Sequence, residues 1–242
     1  MENIKTTRLS VNINKLATIR NARGGNNPDL VKYAQKIESY GAHGITVHPR
    51  PDQRHIRYED VYALKQTVKT EFNIEGYPSE SFLKMVLEVK PTQVTLVPDP
   101  PNVLTSNTGW DTITHQAFLS ETIATLKQAG IRSSIFLNPD SKWIESAAKT
   151  NTDRIELYTE SYASGYLENR ENAIFKFKET AAKAMEYGIG LNAGHDLDLN
   201  NLEYFAKEIP NLLEVSIGHA LICDALEYGM SNTVKMYLNQ LL

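Results

Sequence analysis

Eight short runs of apolar and β-branched residues recur along the chain, separated by stretches whose apolar residues repeat every three or four positions. The runs cover residues 9–13, 44–48, 72–76, 93–97, 133–137, 154–158, 189–193 and 213–217. Helical spacing is clear at Leu30, Ala34 and Ile37. Strict alternation of strands and helices predicts a (β/α)8 TIM barrel, and a doubly wound open sheet is the second possibility.

Three junctions between a helix and the next strand repeat one arrangement. Gly41, Gly130 and Gly188 each end a helical stretch, and a strand begins two or three residues later. Glycine suits this position because it adopts the left-handed backbone conformation that closes many helices. The sequence shows no linker or low-complexity tract, so we expect residues 1–242 to form a single domain.

Composition excludes several classes of protein. The 242 residues are 41% hydrophobic, enough for a sizeable core, and the net charge of -4 gives no general attraction for nucleic acid. No apolar run is long enough to span a membrane, and the segment MENIKTTRLS lacks the apolar core of a signal peptide. We therefore expect a cytoplasmic location without membrane association. Cys223, the single cysteine, excludes an internal disulfide and is expected to be a small buried residue.

A barrel places its chemistry at the carboxyl ends of the strands and in the loops that follow, here called the C-terminal rim. Polar and ionisable residues at these predicted ends include Asn12, His48, Glu75, Asn138, Glu156, His195 and His219. Counting His55, four of the six histidines fall on the rim. His43 and His115 fall elsewhere and are expected to be structural.

The last two strands suggest a site for phosphate. LNAGH (191–195) and SIGHA (216–220) both end in a Gly-His pair, and the second leads directly into a helical stretch. Glycine lets backbone N–H groups approach an anion, and a helix N-terminus favours negative charge. Arginines, which bind phosphate through paired hydrogen bonds, follow strands one and two: Arg20, Arg23, Arg50, Arg54 and Arg57. We infer two phosphate sites on one rim.

Five segments together resemble the pyridoxine 5'-phosphate synthase family: NINKLATIRNARGG (12–25), GITVHPRPDQRHI (44–56), FNIEG (72–76), LNAGHDL (191–197) and EVSIGHALI (214–222). The resemblance runs in order through essentially the whole chain. It implies a (β/α)8 barrel with additional helices that assembles into homo-octamers. It also implies condensation of 1-deoxy-D-xylulose 5-phosphate with 3-amino-2-oxopropyl phosphate, releasing phosphate and water, with neither a metal nor an organic cofactor.

The resemblance also assigns roles to individual residues. The acid–base groups fall on His48, Glu75 and His195. Contacts to deoxyxylulose phosphate fall on Asn14, Lys15, Arg50, His55 and Thr105. Contacts to the aminoketone phosphate fall on Asn12, Arg23, Gly218 and His219, with Arg23 in a loop that an octamer could place across a subunit boundary. Asp196, beside His195, is also counted among the substrate-binding residues. All the proposed steps transfer protons, and imidazole can do so in both directions near neutrality.

Some positions depart from the family pattern. Asn14 and Lys15 stand where many members have Asp-His, Asp196 follows His195 where glycine is frequent, and Glu160 also replaces a frequent glycine. A carboxylate beside a phosphate site should repel it, so we expect Asp196 to point away or to pair with a cation such as Lys15. The proline-rich segment 97–110 after strand four is predicted to be a mobile lid.

Two other functions are weighed against a synthase. A metal-dependent barrel hydrolase would explain the histidines, although the His-x-His pair usual on the first strand of such enzymes is replaced here by VNINK. A non-catalytic paralogue that binds phosphate ligands would explain Lys15 and Asp196. Metal analysis would test the first alternative and a turnover assay the second.

Overall fold

The computed structural model describes residues 7–99 and 107–242, and it shows a closed barrel of eight parallel strands in chain order. The strands are β1 (Arg8–Asn12), β2 (Gly44–Val47), β3 (Glu71–Gly76), β4 (Gln93–Leu96), β5 (Arg132–Leu137), β6 (Arg154–Leu157), β7 (Gly190–Ala193) and β8 (Leu212–Ile217). β8 pairs with β1 through Leu9 and Val215 and so closes the sheet. The (β/α)8 barrel is confirmed, and the open sheet is excluded.

Ten α-helices lie within the described residues. They are α1 (Asn14–Arg23), α2 (Leu30–Ser39), α3 (Tyr58–Thr67), α4 (Glu80–Val89), α5 (Gln116–Gln128), α6 (Ile144–Lys149), α7 (Glu160–Glu186), α8 (Leu202–Glu208), α9 (His219–Tyr228) and α10 (Met230–Asn239). Two connections, those after β1 and β8, carry a pair of helices rather than one. α7 is interrupted by non-helical backbone at Asn169. The predicted additional helices are therefore present.

Local sequence signals explain several helix ends. The Asp29 carboxylate accepts a hydrogen bond from the backbone N–H of Lys32 at the start of α2, and the Ser79 hydroxyl accepts one from Phe82 at the start of α4. Gly41, Gly130 and Gly188 all have positive φ. The predicted left-handed glycines are confirmed at all three junctions, where they turn the chain from helix to strand.

The hydrophobic core lies between the barrel and its helices. Leu9, Val11, Ile45 and Val47 of the first two strands are fully buried, as is Ile37 of α2. In most strands apolar residues alternate with polar ones along the chain, because successive side chains point to opposite faces of a sheet. The apolar face of the barrel therefore packs under the helices, and the polar face is turned toward the barrel axis.

The polar side chains form a hydrogen-bonded series across five strands, β1 to β4 and β6. The Ser10 and Thr46 hydroxyls lie 2.7 Å apart, and the Asn73 amide donates to Thr46 Oγ1 over 3.4 Å. Thr95 Oγ1 in turn donates to Asn73 Oδ1 over 3.2 Å and lies 3.4 Å from Glu156 Oε2. Burying a polar group without a hydrogen-bond partner costs free energy. This series provides such partners inside the barrel, below the carboxyl groups of the rim.

An ionic cluster lies at the amino ends of the strands. Arg132 of β5 pairs with Glu71 of β3, and Arg154 of β6 lies 3.3 Å from Glu214 of β8. Burial is the main cause that raises the pKa of Glu214 to about 7, against the lowering effect of Arg154. The cluster joins strands on opposite sides of the barrel at the end away from the C-terminal rim.

Two expectations about single residues have different outcomes. His43 has a structural role, as predicted, because its Nδ1 accepts a hydrogen bond from the backbone N–H of Leu9. The expectation that Cys223 is buried is wrong, because the thiol lies on an exposed face of α9. In the part of the chain that the structure describes, we find no helix with the length and hydropathy needed to cross a membrane.

Candidate active site

His48 and Glu75 meet at the C-terminal rim. His48 follows β2 directly, Glu75 is the fifth residue of β3, and His48 Nδ1 lies 3.8 Å from Glu75 Oε2. Both side chains are largely shielded from solvent, with 9% of the His48 side chain and 14% of the Glu75 side chain exposed. Two groups capable of acid–base catalysis are thus held side by side.

The loop after β1 holds this pair in place. Asn12 Oδ1 accepts a hydrogen bond from the backbone N–H of Asn14, and its amide nitrogen donates to Glu75 Oε2 over 3.4 Å. Asn14 Oδ1 accepts from the backbone N–H of His48 over 2.9 Å. The two asparagines therefore connect the start of α1 to the ends of β2 and β3.

His195 lies in the loop after β7 with a carboxylate as its immediate partner. Its Nδ1 is 2.8 Å from Asp196 Oδ2, and a carboxylate can only accept, so Nδ1 is the donor. The edge-to-face packing of the Tyr158 ring, with centroids 5.3 Å apart, supports the imidazole from the β6 side. The expectation that Lys15 would be the cation paired with Asp196 is wrong: the ion pair is made with His195.

The electrostatics of the two carboxyl groups, Glu75 and Glu156, favour proton transfer. Burial raises the pKa of Glu75 to about 7, with Asp99 adding to the effect while His195 and Arg50 oppose it. Burial, followed by the charges of Glu75 and Glu214, holds the pKa of Glu156 well above its ordinary value. The protonated form of Glu156 is therefore favoured, beneath a Glu75 that can gain or lose its proton near neutral pH.

Three of the four rim histidines have shifted pKa values, two lowered and one raised. Burial, together with Arg50, His55 and Arg54, lowers the pKa of His48 well below its ordinary value. Burial and the neighbouring cations lower the pKa of His55 to about 4. Burial acts against protonation of His195 too, but the hydrogen bond and charge of Asp196 outweigh it and raise the pKa. The shifts thus favour the neutral form of His48 and the protonated form of His195.

Arg50 is fixed beneath the proposed sugar-phosphate site. One of its Nη atoms lies 2.9 Å from Asp99 Oδ2, and only 5% of the arginine side chain and 3% of the aspartate side chain are exposed. His55 is half-buried nearby, with its ring centroid 6.4 Å from that of His48. The structure thus brings Arg50 and His55 together with His48, as the sequence predicts for one substrate.

The remaining predicted residues lie at different distances from this centre. Gly218 is buried against Asn12, and His219 begins α9, where it is exposed. Lys15 is exposed on the first turn of α1. Arg23 is exposed at the last residue of α1, about 14 Å further along the helix axis from Asn14. Thr105 lies outside the described residues.

Arg20 is not available to bind phosphate. It is 1% exposed, and its guanidinium makes two hydrogen bonds with the Asp60 carboxylate, at 2.6 and 2.8 Å. It also donates to the backbone carbonyl of His55 over 3.2 Å. The prediction that counted Arg20 among the phosphate arginines is therefore wrong, and its role is to brace the loop that carries His55.

Two residues with evident influence on the site received no role in the sequence interpretation. Glu156 stood at a predicted strand end, which was a usable signal, since its position on β6 aims it into the barrel beneath Glu75. Asp99 carried no such signal, because it pairs with Arg50 from 49 positions away along the chain.

Half of the predicted lid, residues 100–106 of 97–110, lies outside the described ranges. The flanking residues are held in place: Asp99 pairs with Arg50, and the Trp110 indole N–H donates to the carbonyl of Leu96 over 3.0 Å. The lid itself stays a prediction. Within residues 7–99 and 107–242, no three His, Cys, Asp or Glu side chains are grouped so that they could hold a metal ion.

Comparison with known proteins identifies the family. Residues 9–242 match the family described as "Pyridoxal phosphate biosynthesis protein PdxJ". The chain belongs to the PdxJ family. It is 63% identical over 235 residues to the pyridoxine 5'-phosphate synthase of Cytophaga hutchinsonii, covering 97% of this chain and 99% of the relative. It is 62% identical over 231 residues to that of Parabacteroides distasonis, covering 96% and 97%. The predicted activity, pyridoxine 5'-phosphate synthase, is confirmed by this family membership.

Solved structures confirm the fold independently. The phosphoribosylanthranilate isomerase of Thermotoga maritima superimposes with a TM-score of 0.61 at 13% identity, covering 97% of both chains. A tryptophan synthase structure from M. tuberculosis gives a TM-score of 0.64 at 10% identity, covering 98% of this chain and 94% of the other. At such low identity, these likenesses support the barrel alone.

Proposed function

We propose that the protein condenses 1-deoxy-D-xylulose 5-phosphate with 3-amino-2-oxopropyl phosphate to form pyridoxine 5'-phosphate, with His48, Glu75 and His195 as the acid–base groups. The observation that carries this assignment is the 3.8 Å approach of His48 Nδ1 to Glu75 Oε2, with burial raising the pKa of Glu75 to about 7. Imine formation, elimination and ring closure each need a proton removed at one atom and supplied at another.

The charge states of the three groups suggest their roles. A neutral His48 accepts a proton from carbon or nitrogen, since its pKa is depressed by burial and by Arg50. A protonated His195 donates to a departing oxygen, since Asp196 raises its pKa. Glu75 acts in both directions because its pKa of about 7 lies at the working pH.

The two phosphates would occupy separate parts of the rim. Arg50 and His55 after β2, with Asn14 and Lys15 of α1, suit the sugar phosphate. The N-terminus of α9, with the buried Gly218 before it and His219 at its first position, suits the aminoketone phosphate, because the first N–H groups of a helix point outward toward an anion. Asn12 lies between them, in contact with both Gly218 and Glu75.

The direct test is product formation from the two phosphorylated substrates in the presence of a chelator. Pyridoxine 5'-phosphate and inorganic phosphate should appear in equal amounts, and the chelator should leave the rate unchanged. A rate abolished by the chelator and restored by a divalent metal would favour the hydrolase alternative. Tight binding of both substrates without turnover would favour the non-catalytic paralogue, although the named relatives weigh against it.

We further propose that the chain assembles into the homo-octamer that the family resemblance implies, and that Arg23 of one subunit completes the site of another. Two large apolar side chains of α7 are exposed in the single chain: Leu167 is 89% exposed and Phe175 is 59% exposed. Because exposed apolar side chains mark surfaces that contact other proteins, these two residues support assembly. Light scattering of the purified protein would give the assembly mass. The cytoplasmic location stays a prediction.

A further inference from the structure

Asp196 stands next to His195 in the loop after β7, and its carboxylate turns back onto the preceding imidazole. The Nδ1–Oδ2 distance of 2.8 Å is that of a charge-assisted hydrogen bond. About a third of each side chain is exposed, with values of 32% for His195 and 29% for Asp196. The contact therefore lies at the open surface of the site and is not part of the buried core.

The backbone on both sides of His195 is held by one buried side chain. Thr159 Oγ1 donates to the carbonyl of Gly194 over 2.8 Å and accepts from the backbone N–H of Asp196 over 3.0 Å. The carbonyl of Asp196 accepts from the Asn201 amide over 3.3 Å. His195 itself has a φ of 22°, an uncommon conformation for a residue with a side chain. These bonds fix a strained turn in which the two side chains face each other.

We propose that Asp196 is a positioning residue for His195: its carboxylate accepts the Nδ1–H hydrogen bond, which selects the ring orientation and leaves Nε2–H as the acid that faces the substrates. The proposal rests on the proposed function only in naming the substrate. The proton of Nε2 passes to an oxygen of the bound substrate as that oxygen leaves, the imidazole becomes neutral with its second proton still on Nδ1, and a proton from solvent restores the cation.

Groups from three other parts of the rim also face His195. The carboxyl groups of Glu75 on β3 and Asp99 after β4 act on its charge, and the Tyr158 ring after β6 packs against it. Asp196 adds a direct hydrogen bond to a ring nitrogen, which fixes the orientation of the imidazole as well as its charge. Glu75 has its own role in proton transfer, so a second carboxylate with a fixed bond to Nδ1 keeps His195 protonated whichever state Glu75 is in.

The first test is a pH titration of His195 in the protein without substrates. NMR of histidine labelled with carbon-13 at Cε1 monitors the titration, and the variant His195→Gln assigns the His195 signal. In Asp196→Asn, which keeps an acceptor oxygen but loses the charge, the His195 pKa should fall by about one pH unit or more. In Asp196→Gly it should fall further, and Nδ1 should lose its preference for the proton.

Asp198→Asn is the matched control. It removes the same charge two residues away, where the carboxylate accepts from the backbone N–H groups of Asn200 and Asn201. The His195 titration should be nearly unchanged in this variant. An unchanged titration in Asp196→Asn and Asp196→Gly, or an equal change in Asp198→Asn, would overturn the proposal.

Turnover gives a second readout. In Asp196→Asn, the alkaline limb of the kcat/KM profile, which reports the protein without substrates, should move to lower pH by the same amount as the titration. On that limb kcat/KM should then fall about tenfold for each pH unit that the profile moves, with KM within about twofold. A lower kcat at every pH with no displacement of the profile would contradict the positioning role. A protein that forms no pyridoxine 5'-phosphate but still shows the altered His195 titration would overturn the proposed function and leave this inference standing.

Discussion

His48 Nδ1 lies 3.8 Å from Glu75 Oε2 at the mouth of the barrel, and the two groups are buried with opposite consequences. Burial lowers the pKa of the imidazole and raises that of the carboxyl. Near neutral pH the shifts favour a neutral His48, which can accept a proton, and a Glu75 divided between its protonated and ionised forms, which can give or take one. The opposite pKa shifts support different roles in proton transfer for His48 and Glu75, and the following predictions test these roles.

The change His48→Asn should lower kcat by about 10²–10⁴ and leave KM for both substrates nearly unchanged, because a general acid–base group acts mainly in the transition state. Steady-state kinetics with each substrate varied in turn would measure this. The variant should bind deoxyxylulose phosphate as tightly as the original protein in calorimetry. An equal loss in kcat and in affinity would mean that His48 acts chiefly in binding.

The change Arg50→Met should instead raise KM for the sugar phosphate, because it removes the cation expected to bind that group. It should also lower the free energy of unfolding by about 3–5 kcal/mol, because the buried Asp99 carboxylate then loses its ion pair at 2.9 Å. Denaturant titration would measure the loss. The double variant Arg50→Met, Asp99→Asn should recover part of the stability but none of the affinity, and recovery of affinity would refute a phosphate-binding role for Arg50.

The kcat/KM profile of the original protein should have an inflection near pH 7, where Glu75 changes its protonation state. In Glu75→Gln this inflection should disappear, and the rate should fall by a factor of about 10²–10⁴. Glu156→Gln is the informative comparison, since glutamine resembles the protonated acid that Glu156 is held as. We expect Glu156→Gln to retain the inflection near pH 7. Its disappearance there would assign the titration to Glu156.

The raised pKa of Glu156 also makes the stability of the fold depend on pH in a defined direction. The pKa of Glu156 is raised well above 4.5, so above that pH the unfolded chain loses a proton that the folded protein keeps. The unfolded state is then favoured, and stability falls as the pH rises. Glu156→Gln removes this penalty, so its free energy of unfolding should equal that of the original protein near about pH 4 and exceed it increasingly toward about pH 8. A constant difference across this range would contradict the assignment.

The fold could be predicted from the sequence because its signals are local. The eight strand runs and the glycines at positions 41, 130 and 188 depend on neighbouring residues alone, and the structure places all of them as expected. Because a barrel collects its strand ends at one rim, the sequence placed His48, Glu75 and His195 together on that rim, and the family resemblance then assigned them the acid–base roles.

Pairing between side chains was harder to predict, since it depends on distances set by the whole barrel. Arg20 was predicted to bind phosphate, but its guanidinium pairs with Asp60, which lies 40 positions away along the chain. Asp196 was expected to point away or to pair with a cation such as Lys15, yet its carboxylate bends back to the adjacent His195. A strained turn of this kind depends on Thr159, and no local pattern in the sequence indicates that contact.

The buried pair of Arg20 and Asp60 gives a prediction about stability and loop position. Arg20→Met should reduce the free energy of unfolding by about 3–5 kcal/mol, because it leaves Asp60 without its partner and the carbonyl of His55 without a donor. Arg20→Lys should recover only part of this, since lysine cannot make the paired hydrogen bonds. Neither change should remove a direct substrate contact, so any rise in KM should be limited to the sugar phosphate held by the His55 loop. A large rise in KM for the aminoketone phosphate with unaltered stability would show that Arg20 binds phosphate after all.

Glycine is required before His195 for steric reasons, and this gives the last prediction. A Cβ at position 194 would overlap the backbone carbonyl oxygen of Ser216 on β8, and backbone cannot move aside as a flexible side chain can. Gly194→Ala should therefore push β7 away from β8 and lower stability by about 1–3 kcal/mol. It should also reduce kcat, because it displaces His195. Gly188→Ala provides the control, because it adds the same methyl group where nothing lies within 4 Å and the only penalty is the φ of 68°. That variant should lose about 1 kcal/mol of stability and keep full kcat. If the two alanine variants were equally active, the close contact between β7 and β8 would not be what positions His195.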